Sequence, residues 1–420
     1  SIYEIPDCYD TNCFAPVIRF TKSILFFRFF LLLIIIYLLS KYNVLIFKYF
    51  FITAAISSIV VSLDIIFQYY FGYNIVGLKS LGFYNTGFFG VELIAGGYIQ
   101  RFSFFSIFFS IVFFKDKKYF KFISLLFVIC VLATGMLFAG NRMPLILFIV
   151  GLLLVFLLNI KIKKILLLSL IVLFSLLQLI TMTNENYKNH LRDAYSSFYG
   201  SVKYIITIPT HFGIQKWNKQ ERVEQEESLK SKTLFYEVKW ESYHRRIFLA
   251  AIDTWKENKI LGNGIKSFRQ DCWKLEGPDV NLGDDILPNK RNRLCSNHPH
   301  NYYLEILTET GVVGMVLILI VALMFVGFVL KNFRFAGQIT FANFILLSAL
   351  ISLILETLPL KSTGSLFSTN NAAYLIIIAS INSVRSVRSF STSTPHARKT
   401  AIPSLSSVKE SKRCSRVAYS

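Results

Sequence analysis

The chain contains a succession of apolar runs that approach the length needed to cross a lipid bilayer. A helix spans the hydrocarbon core with about 18–20 apolar residues. Candidate runs of this kind lie at 24–39, 44–67, 98–114, 122–139, 143–160, 165–182, 312–330, 339–356 and 371–381. Hydrophobic residues make up 54% of the chain and charged residues only 17%, so a water-soluble core could not enclose the apolar surface. The sequence predicts an all-α, polytopic membrane protein with about nine or more transmembrane helices.

Basic residues gather at the ends of alternate apolar runs. These clusters lie at 115–121, 161–164, 331–334 and in the tail after residue 383. Cytoplasmic loops of membrane proteins carry an excess of Lys and Arg, so these positions are predicted to be cytoplasmic. The opposite side then holds Arg142, the loop after Phe67, the segment 183–301 and the loop 357–370. This placement accounts for the net charge of +20 and argues against nucleic-acid binding.

Four parts of the chain follow from this topology. They are an N-terminal transmembrane bundle at 1–182, a mostly helical loop domain on the side opposite the cytoplasm at 183–301, C-terminal transmembrane helices at 302–381, and a basic, disordered cytoplasmic tail at 382–420. Because the chain starts at Ser1 and not at Met, we expect the bundle to be incomplete at its N-terminus.

Two cysteines, Cys272 and Cys295, lie in the long loop. In an oxidising compartment such as the bacterial periplasm they could pair as a disulfide; the alternative is two separate thiols. The cysteines and histidines lack the spacing that holds zinc. The sequence therefore predicts neither a metal nor a cofactor.

The most informative stretch runs from His298-Pro299-His300-Asn301 through Glu305 and Glu309 to Gly311 and Gly314. Pro299 restricts the backbone ahead of the next membrane helix and places both histidines at the start of that helix. A neutral imidazole at this position can accept a proton from a sugar hydroxyl. The alternative is that His298 and His300 are interfacial residues that bond to backbone or lipid phosphate.

Arginines supply a second set of candidates. Arg142 follows Gly140-Asn141 between two apolar runs, on the same side as the histidines. A guanidinium suits phosphate or pyrophosphate oxygens, although Arg142 could instead be a simple anchor at the membrane surface. In the loop, His244, Arg245 and Arg246 begin an amphipathic helical pattern. A turn with Gly262 and Gly264 and then Arg269 follows.

These motifs, in this order, resemble the O-antigen ligase/O-antigen polymerase family. The resemblance covers the arginine between two spans, the loop helix, the turn Leu261-Gly262-Asn263-Gly264, and His298 to Gly314, which is its most specific part. It extends from about Phe71 to Ile381 and includes the segment 87–101. It implies a GT-C-like fold and a metal-independent transfer of a glycan from undecaprenyl pyrophosphate to an acceptor hydroxyl on the periplasmic face of the bacterial inner membrane. It implies as well that the loop domain at 183–301 is periplasmic.

The resemblance also implies roles for single residues. His300 matches the catalytic histidine, with His298 beside it, and Arg142 matches the membrane-edge arginine that holds the pyrophosphate. His244 stands where many members have Arg, so His244, Arg245 and Arg246 all stay candidates for the second phosphate contact. Supporting positions are Asn301, Glu305, Glu309 and Arg269.

Several functions are compatible with these motifs. A ligase would transfer the glycan to a lipid A–core acceptor, whereas a polymerase would transfer it to a second lipid-linked glycan. A transporter or flippase for polyprenyl-linked sugars is the rival from another class, but transporters usually place charges within their spans and show internal repeats. A purely structural role in the membrane would not explain why these arginines and histidines occur together. The sequence favours the ligase.

Overall fold

The computed structural model describes most of the two transmembrane regions and the two ends of the loop domain. The described residues are 15–42, 46–157, 163–183, 243–275, 294–332, 341–359 and 361–393, with 185, 188, 189 and 192. Over these ranges the regular structure is helical, with two isolated β-bridges in the loop after Gly72. Arg245 and Asn301 belong to these ranges, whereas the central part of the predicted loop domain lies outside them.

Twelve α-helices occur in the described part of the chain. They are α1 (Ala15–Phe26), α2 (Arg28–Lys41), α3 (Phe47–Phe71), α4 (Ala95–Phe113), α5 (Lys118–Phe138), α6 (Arg142–Leu157), α7 (Lys163–Thr183), α8 (Tyr243–Glu257), α9 (Phe268–Leu275), α10 (Tyr302–Asn332), α11 (Phe341–Glu356) and α12 (Thr369–Ser393).

Among the described residues, five helical stretches are long and apolar enough to cross a membrane. They are Phe20–Ser40, Phe47–Phe71, Ala95–Phe113, Lys118–Phe138 and Tyr302–Gly327. Three shorter apolar helices accompany them: Arg142–Leu157, Leu166–Ile180 and Asn343–Glu356. The protein is therefore a mostly helical, multi-pass membrane protein, as predicted. The count of nine or more spans stays a prediction.

Helix α4 lies at the centre of the bundle and packs against α3, α5, α6 and α11. Phe104, Phe105 and Phe108 on α4 are fully buried. A Cβ atom at Gly151 of α6 would come within 2.2 Å of the Phe104 ring, so glycine lets α6 approach this aromatic row. Between membrane helices, where lipid is as apolar as the protein interior, close packing of this kind replaces the hydrophobic effect.

Helix ends come together at one end of the bundle. The guanidinium of Arg101 near the start of α4 donates to Glu356 at the end of α11 and to Asn371 at the start of α12. Tyr302, the first residue of α10, donates to the same Glu356 carboxylate. We call this region, defined by these four residues, the polar end of the bundle.

Helix α10 begins at Tyr302, directly after the histidines and ahead of the apolar run at 312–330. The Asn301 side chain accepts hydrogen bonds from the backbone N–H groups of Tyr303 and Leu304 and caps the helix. One helix boundary differs from the sequence prediction. Helix α12 continues to Ser393, so it runs past residue 382, where the disordered tail was predicted to start. The remainder of that tail, from residue 394, lies outside the described residues.

Candidate active site

Three histidines from two separate parts of the chain meet beside the polar end. The ring centroids of His298 and His300 are 4.1 Å apart, and those of His244 and His300 are 5.3 Å apart. His244 is the second residue of α8, and the other two precede α10. All three are half-buried. We call these residues the histidine cluster.

The backbone of His300 adopts a conformation that non-glycine residues seldom take. Its φ angle is +53°, in the left-handed region that is unfavourable for most side chains. The carbonyl oxygen of His300 accepts a 2.8 Å hydrogen bond from the backbone N–H of Thr363, and the Nε2 atom lies 3.2 Å from Ser296 Oγ. Backbone conformations of this kind persist where the surroundings impose them and are frequent at functional sites.

The environment keeps the cluster uncharged. Burial lowers the pKa of His244, and burial is also the main cause that lowers the pKa of His298. The pKa of His300 falls to about 4, first through burial and then through the positive charge that His298 and His244 would carry when protonated. At neutral pH the three imidazoles are therefore neutral and able to accept a proton.

Asn301 connects the cluster to the loop that follows α11. While its Oδ1 atom caps α10, its Nδ2 atom donates to the carbonyl oxygen of Pro359 at 2.6 Å. Together with the bond from Thr363 to His300, this contact holds the loop against the histidines. Asn301 is thus a structural anchor of the cluster.

Glu305 and Glu309 are buried on the first turns of α10 and fix two neighbouring loops. Glu305 accepts hydrogen bonds from the Ser365 hydroxyl at 2.5 Å and from the Leu366 N–H at 2.6 Å. Glu309 accepts a hydrogen bond from the Lys266 N–H at 2.6 Å. Both carboxylates therefore satisfy backbone donors that would otherwise be buried without a partner, and both position the loops around the cluster.

The turn at Gly262 and Gly264 docks on a break in α10. At Gly311 the helix takes φ +65° and ψ −169°, which interrupts the helical hydrogen bonds. The backbone N–H groups of Asn263 and Gly264 donate to the carbonyl oxygens of Thr308 and Glu309, at 3.0 and 2.8 Å. The turn therefore satisfies carbonyl groups that the broken helix leaves open.

Gly262→Ala should destabilise the protein. The position has φ +70°, and an added Cβ would lie 2.4 Å from the backbone nitrogen of Gly311, so the turn and α10 would have to separate. We expect a loss of about 1–3 kcal/mol, seen as a lower melting temperature of the purified protein. Gly97→Ala is the control, because its Cβ would meet nothing within 4 Å. Equal melting temperatures for the two variants would contradict the docking.

A small second core holds α8 and α9 against the segment before α10. It contains buried Ile247, Ala251 and Phe268 and the disulfide between Cys272 and Cys295, with the two Cα atoms 5.7 Å apart. The disulfide ties α9 to the residues directly before His298. This core thereby brings the start of α8 together with the histidines that lie about fifty residues later in the sequence.

The predicted arginines occupy different positions relative to the cluster. Arg246 is half-buried on α8, next to the histidine cluster in sequence, and its carbonyl oxygen accepts from Leu294 N–H. Arg269 is half-buried on α9, and its charge contributes to the lowered pKa of His298. The Nε atom of Arg269 is buried and, among the described residues, has no hydrogen-bond partner. The side chain of Arg245 lies outside the described residues.

Arg142 is the first residue of α6, after the left-handed turn at Gly140. The neighbouring Asn141 donates to the carbonyl oxygen of Leu93 at 2.6 Å, just before the start of α4. Helix α6 packs against α4, α5, α7 and α11, whereas the histidines are held by α8, α10 and the loop after α11. Arg142 thus shares an end of the bundle with the cluster but is carried by a separate group of helices.

Comparison with known proteins agrees with this arrangement. Residues 125–319 match the sequence model of the family described as O-antigen ligase. This part of the chain is similar to the O-antigen ligase family. The predicted resemblance is confirmed, and the match extends from α5 to the middle of α10, so it includes Arg142, the loop helices and the histidine cluster. No curated protein and no solved structure matches the chain.

A buried ion network at the polar end was missed by sequence reasoning. Arg101 Nη2 lies 2.7 Å from Glu356 Oε1, and Lys361 pairs with the other oxygen of the same carboxylate. Tyr302 donates to Glu356 at 2.7 Å, and the Arg101 guanidinium carbon lies 4.8 Å from the centre of the Tyr374 ring. The sequence did contain a sign of this network, namely the charged residue Glu356 at the edge of an apolar run. A charge inside or at the edge of a membrane span usually has a partner or a function. Glu356 was interpreted only as the end of a span.

The charged members of this network, Arg101, Glu356 and Lys361, lie outside the residues that match the O-antigen ligase family, whereas Tyr302 lies inside them. It carries two cations for one carboxylate, and burial lowers the pKa of Lys361 although the charge of Glu356 opposes that change. Lys361 and Thr363 belong to the loop that bonds to His300 and Asn301. The network therefore secures the loop that supports the histidine cluster.

Proposed function

We propose that this protein is a glycosyltransferase of the bacterial inner membrane that acts as an O-antigen ligase. It moves a glycan from undecaprenyl pyrophosphate to a hydroxyl group of a lipid A–core acceptor. The observation that carries the proposal is the histidine cluster: neutral imidazoles at the polar end of an apolar bundle, with arginines on the helices that hold them. Similarity to the family supports a role in polysaccharide assembly and leaves the acceptor open.

The reaction needs one base and several cations. The acceptor oxygen forms a bond to the anomeric carbon while its proton passes to the His300 imidazole. The bond between that carbon and the diphosphate oxygen breaks, and its electron pair leaves with the diphosphate. Cationic groups stabilise the negative charge that develops on the leaving group. Arg142, Arg246 and Arg269 are the proposed cations, and Arg245 is a further candidate. His244, which is neutral, is a candidate for a hydrogen bond to the phosphates.

Donor binding would raise the pKa of the His300 imidazole and so make it a stronger base. In the protein alone, burial keeps the pKa of His300 near 4, and a base this weak accepts a hydroxyl proton poorly. An opposite charge nearby favours the protonated imidazole and raises its pKa. A bound pyrophosphate would therefore strengthen the base only when the donor is in place, which would limit unproductive proton transfer.

The active site is proposed to face the periplasm. The support is the alternation of basic clusters, which assigns 115–121, 161–164 and 331–334 to the cytoplasm. The same assignment puts Arg142, the start of α8 and the histidines together on the other side. Arginines in place of a metal also make the proposed transfer independent of divalent cations.

The ligase proposal is tested by the products that the purified protein makes in proteoliposomes. The donor is a glycan on undecaprenyl pyrophosphate, offered together with lipid A–core and with a second lipid-linked glycan. We expect the glycan on lipid A–core, at a rate that EDTA does not change. His300→Ala protein, purified in the same way, serves as the control for contaminating enzymes.

Other products would change the conclusion. Longer glycans that stay on undecaprenyl pyrophosphate would identify a polymerase. Donor that crosses the bilayer without any transfer would identify a transporter. Activity that is lost in EDTA and restored by Mg²⁺ would contradict the arginine mechanism.

A further inference from the structure

The structure contains a cavity of about 130 Å³ whose lining includes none of the residues of the histidine cluster. It is lined by residues of α1, by Lys266 from the turn before α9, and by the start of α12. A single ordered water needs roughly 10–15 Å³ of such volume. The cavity therefore has room for a group as large as a phosphate.

Three cations line this cavity: Lys22, Arg28 and Lys266. Among the described residues, none of the three forms an ion pair with a carboxylate. Arg28 donates to the neutral hydroxyl of Thr369 at 2.7 Å, so its charge is not cancelled. The charges of Arg269 and Lys266 repel that of Lys22, whereas the charge of Glu309 attracts it. Like charges gathered in one cavity favour an anion between them.

The backbone around the cavity favours an anion as well. Lys266 has φ +61°, an unusual conformation that the bond from its N–H to Glu309 stabilises. That bond directs the Glu309 carboxylate toward the backbone. Helix α12 begins at Thr369, so its N-terminus, with a partial positive charge, lies at the cavity.

The other half of the lining is apolar. Leu25, Phe26 and Phe367 lie beside the cations. Next to them Ile24 and Phe27 are 57% and 59% exposed, in a stretch that is apolar enough to cross a membrane. A hydrocarbon chain can lie along such a surface, whereas a free anion would gain nothing from it.

We propose that this cavity binds the phosphate group of a membrane lipid, with the hydrocarbon chain of the lipid along α1. The phosphate lies among Lys22, Arg28 and Lys266. Two kinds of lipid offer this chemistry, an anionic phospholipid and a prenyl diphosphate. The inference does not depend on the proposed glycan transfer, since it rests on residues outside the histidine cluster.

The test is native mass spectrometry of the full-length protein in detergent, titrated separately with phosphatidylglycerol, undecaprenyl diphosphate, phosphatidylcholine and inorganic pyrophosphate. We expect the wild type to retain one of the two anionic lipids more strongly than phosphatidylcholine. The double variant Lys22→Ala/Lys266→Ala should lower that affinity about tenfold. The anionic lipid that shows this loss identifies the source of the phosphate.

The control is Lys115→Ala/Lys118→Ala, which removes the same charge from two exposed lysines. Lys115 lies between α4 and α5, and Lys118 is the first residue of α5. It should leave the affinity unchanged. If the cavity variant melts at a lower temperature than the wild type, the single variant Lys22→Gln replaces it, with an expected loss of at least threefold. Equal lipid affinity in the cavity and control variants would overturn the proposal. Pyrophosphate that binds as tightly as either lipid would also overturn it.

Discussion

His300→Ala should reduce turnover by about 10²–10⁴-fold, the usual contribution of a general base. Donor affinity should stay nearly unchanged, because the imidazole is proposed to act on the acceptor hydroxyl. In the wild type, kcat/KM should fall only as the pH drops well below 6.5, toward 4, because burial lowers the pKa of His300 to about 4 and the base works in its neutral form. The measurement is glycan transfer in proteoliposomes with donor titration.

The matched control is His298→Ala. His298 is buried to a similar degree, its ring lies 4.1 Å from that of His300, and it is proposed to orient the neighbouring imidazole. We expect a milder loss of turnover from this variant. If His298→Ala abolishes transfer while His300→Ala keeps near-wild-type turnover, the base has been assigned to the wrong histidine. If neither variant affects transfer, the proposed mechanism fails.

Arg101→Ala should destabilise the protein strongly, by about 3–5 kcal/mol, because it removes one partner of a buried ion pair. The Glu356 side chain is fully buried, so it would keep Lys361 and Tyr302 but lose its bidentate guanidinium partner. The loop at 361–368 would loosen, and the support of His300 would weaken with it. We expect a lower melting temperature and a lower yield of folded protein, and Arg101→Lys should restore only part of the loss.

Lys256→Ala is the matched control for Arg101→Ala. Lys256 forms a 2.9 Å ion pair with Asp253 on α8, but its side chain is 55% exposed. Exposed pairs of this kind contribute about 0–1 kcal/mol, so its melting temperature should stay close to that of the wild type. If Arg101→Ala melts no lower than Lys256→Ala, the buried network does not stabilise the loop.

The membrane helices could be predicted from the sequence because their cause is local. An apolar run of sufficient length must satisfy its own backbone hydrogen bonds inside a bilayer, and a helix does so within one segment. The starts of α4, α5 and α6 were therefore predicted to within a few residues. The turn at Gly262 and Gly264 was also predicted, because its cause is local too: glycine accepts positive φ angles.

The family could also be predicted from the sequence, because its motifs are contiguous stretches such as His298 to Gly314. The start of α10 has a local cause as well, since Pro299 precedes it and Asn301 caps it. The apolar run at 312–330 begins later than the helix. Hydropathy marks the hydrocarbon core, and a helix can extend beyond it.

Contacts between distant residues were decided only by the tertiary structure. His244 meets His300, Arg101 meets Glu356, and Lys22 lines a cavity with Lys266. Each pair joins segments whose separation along the chain says nothing about their distance in space. Apolar patterning determines that helices form and where they cross the bilayer. Which helix ends become neighbours depends on the packing of small residues and aromatic rings across the whole bundle, and no local pattern encodes that packing.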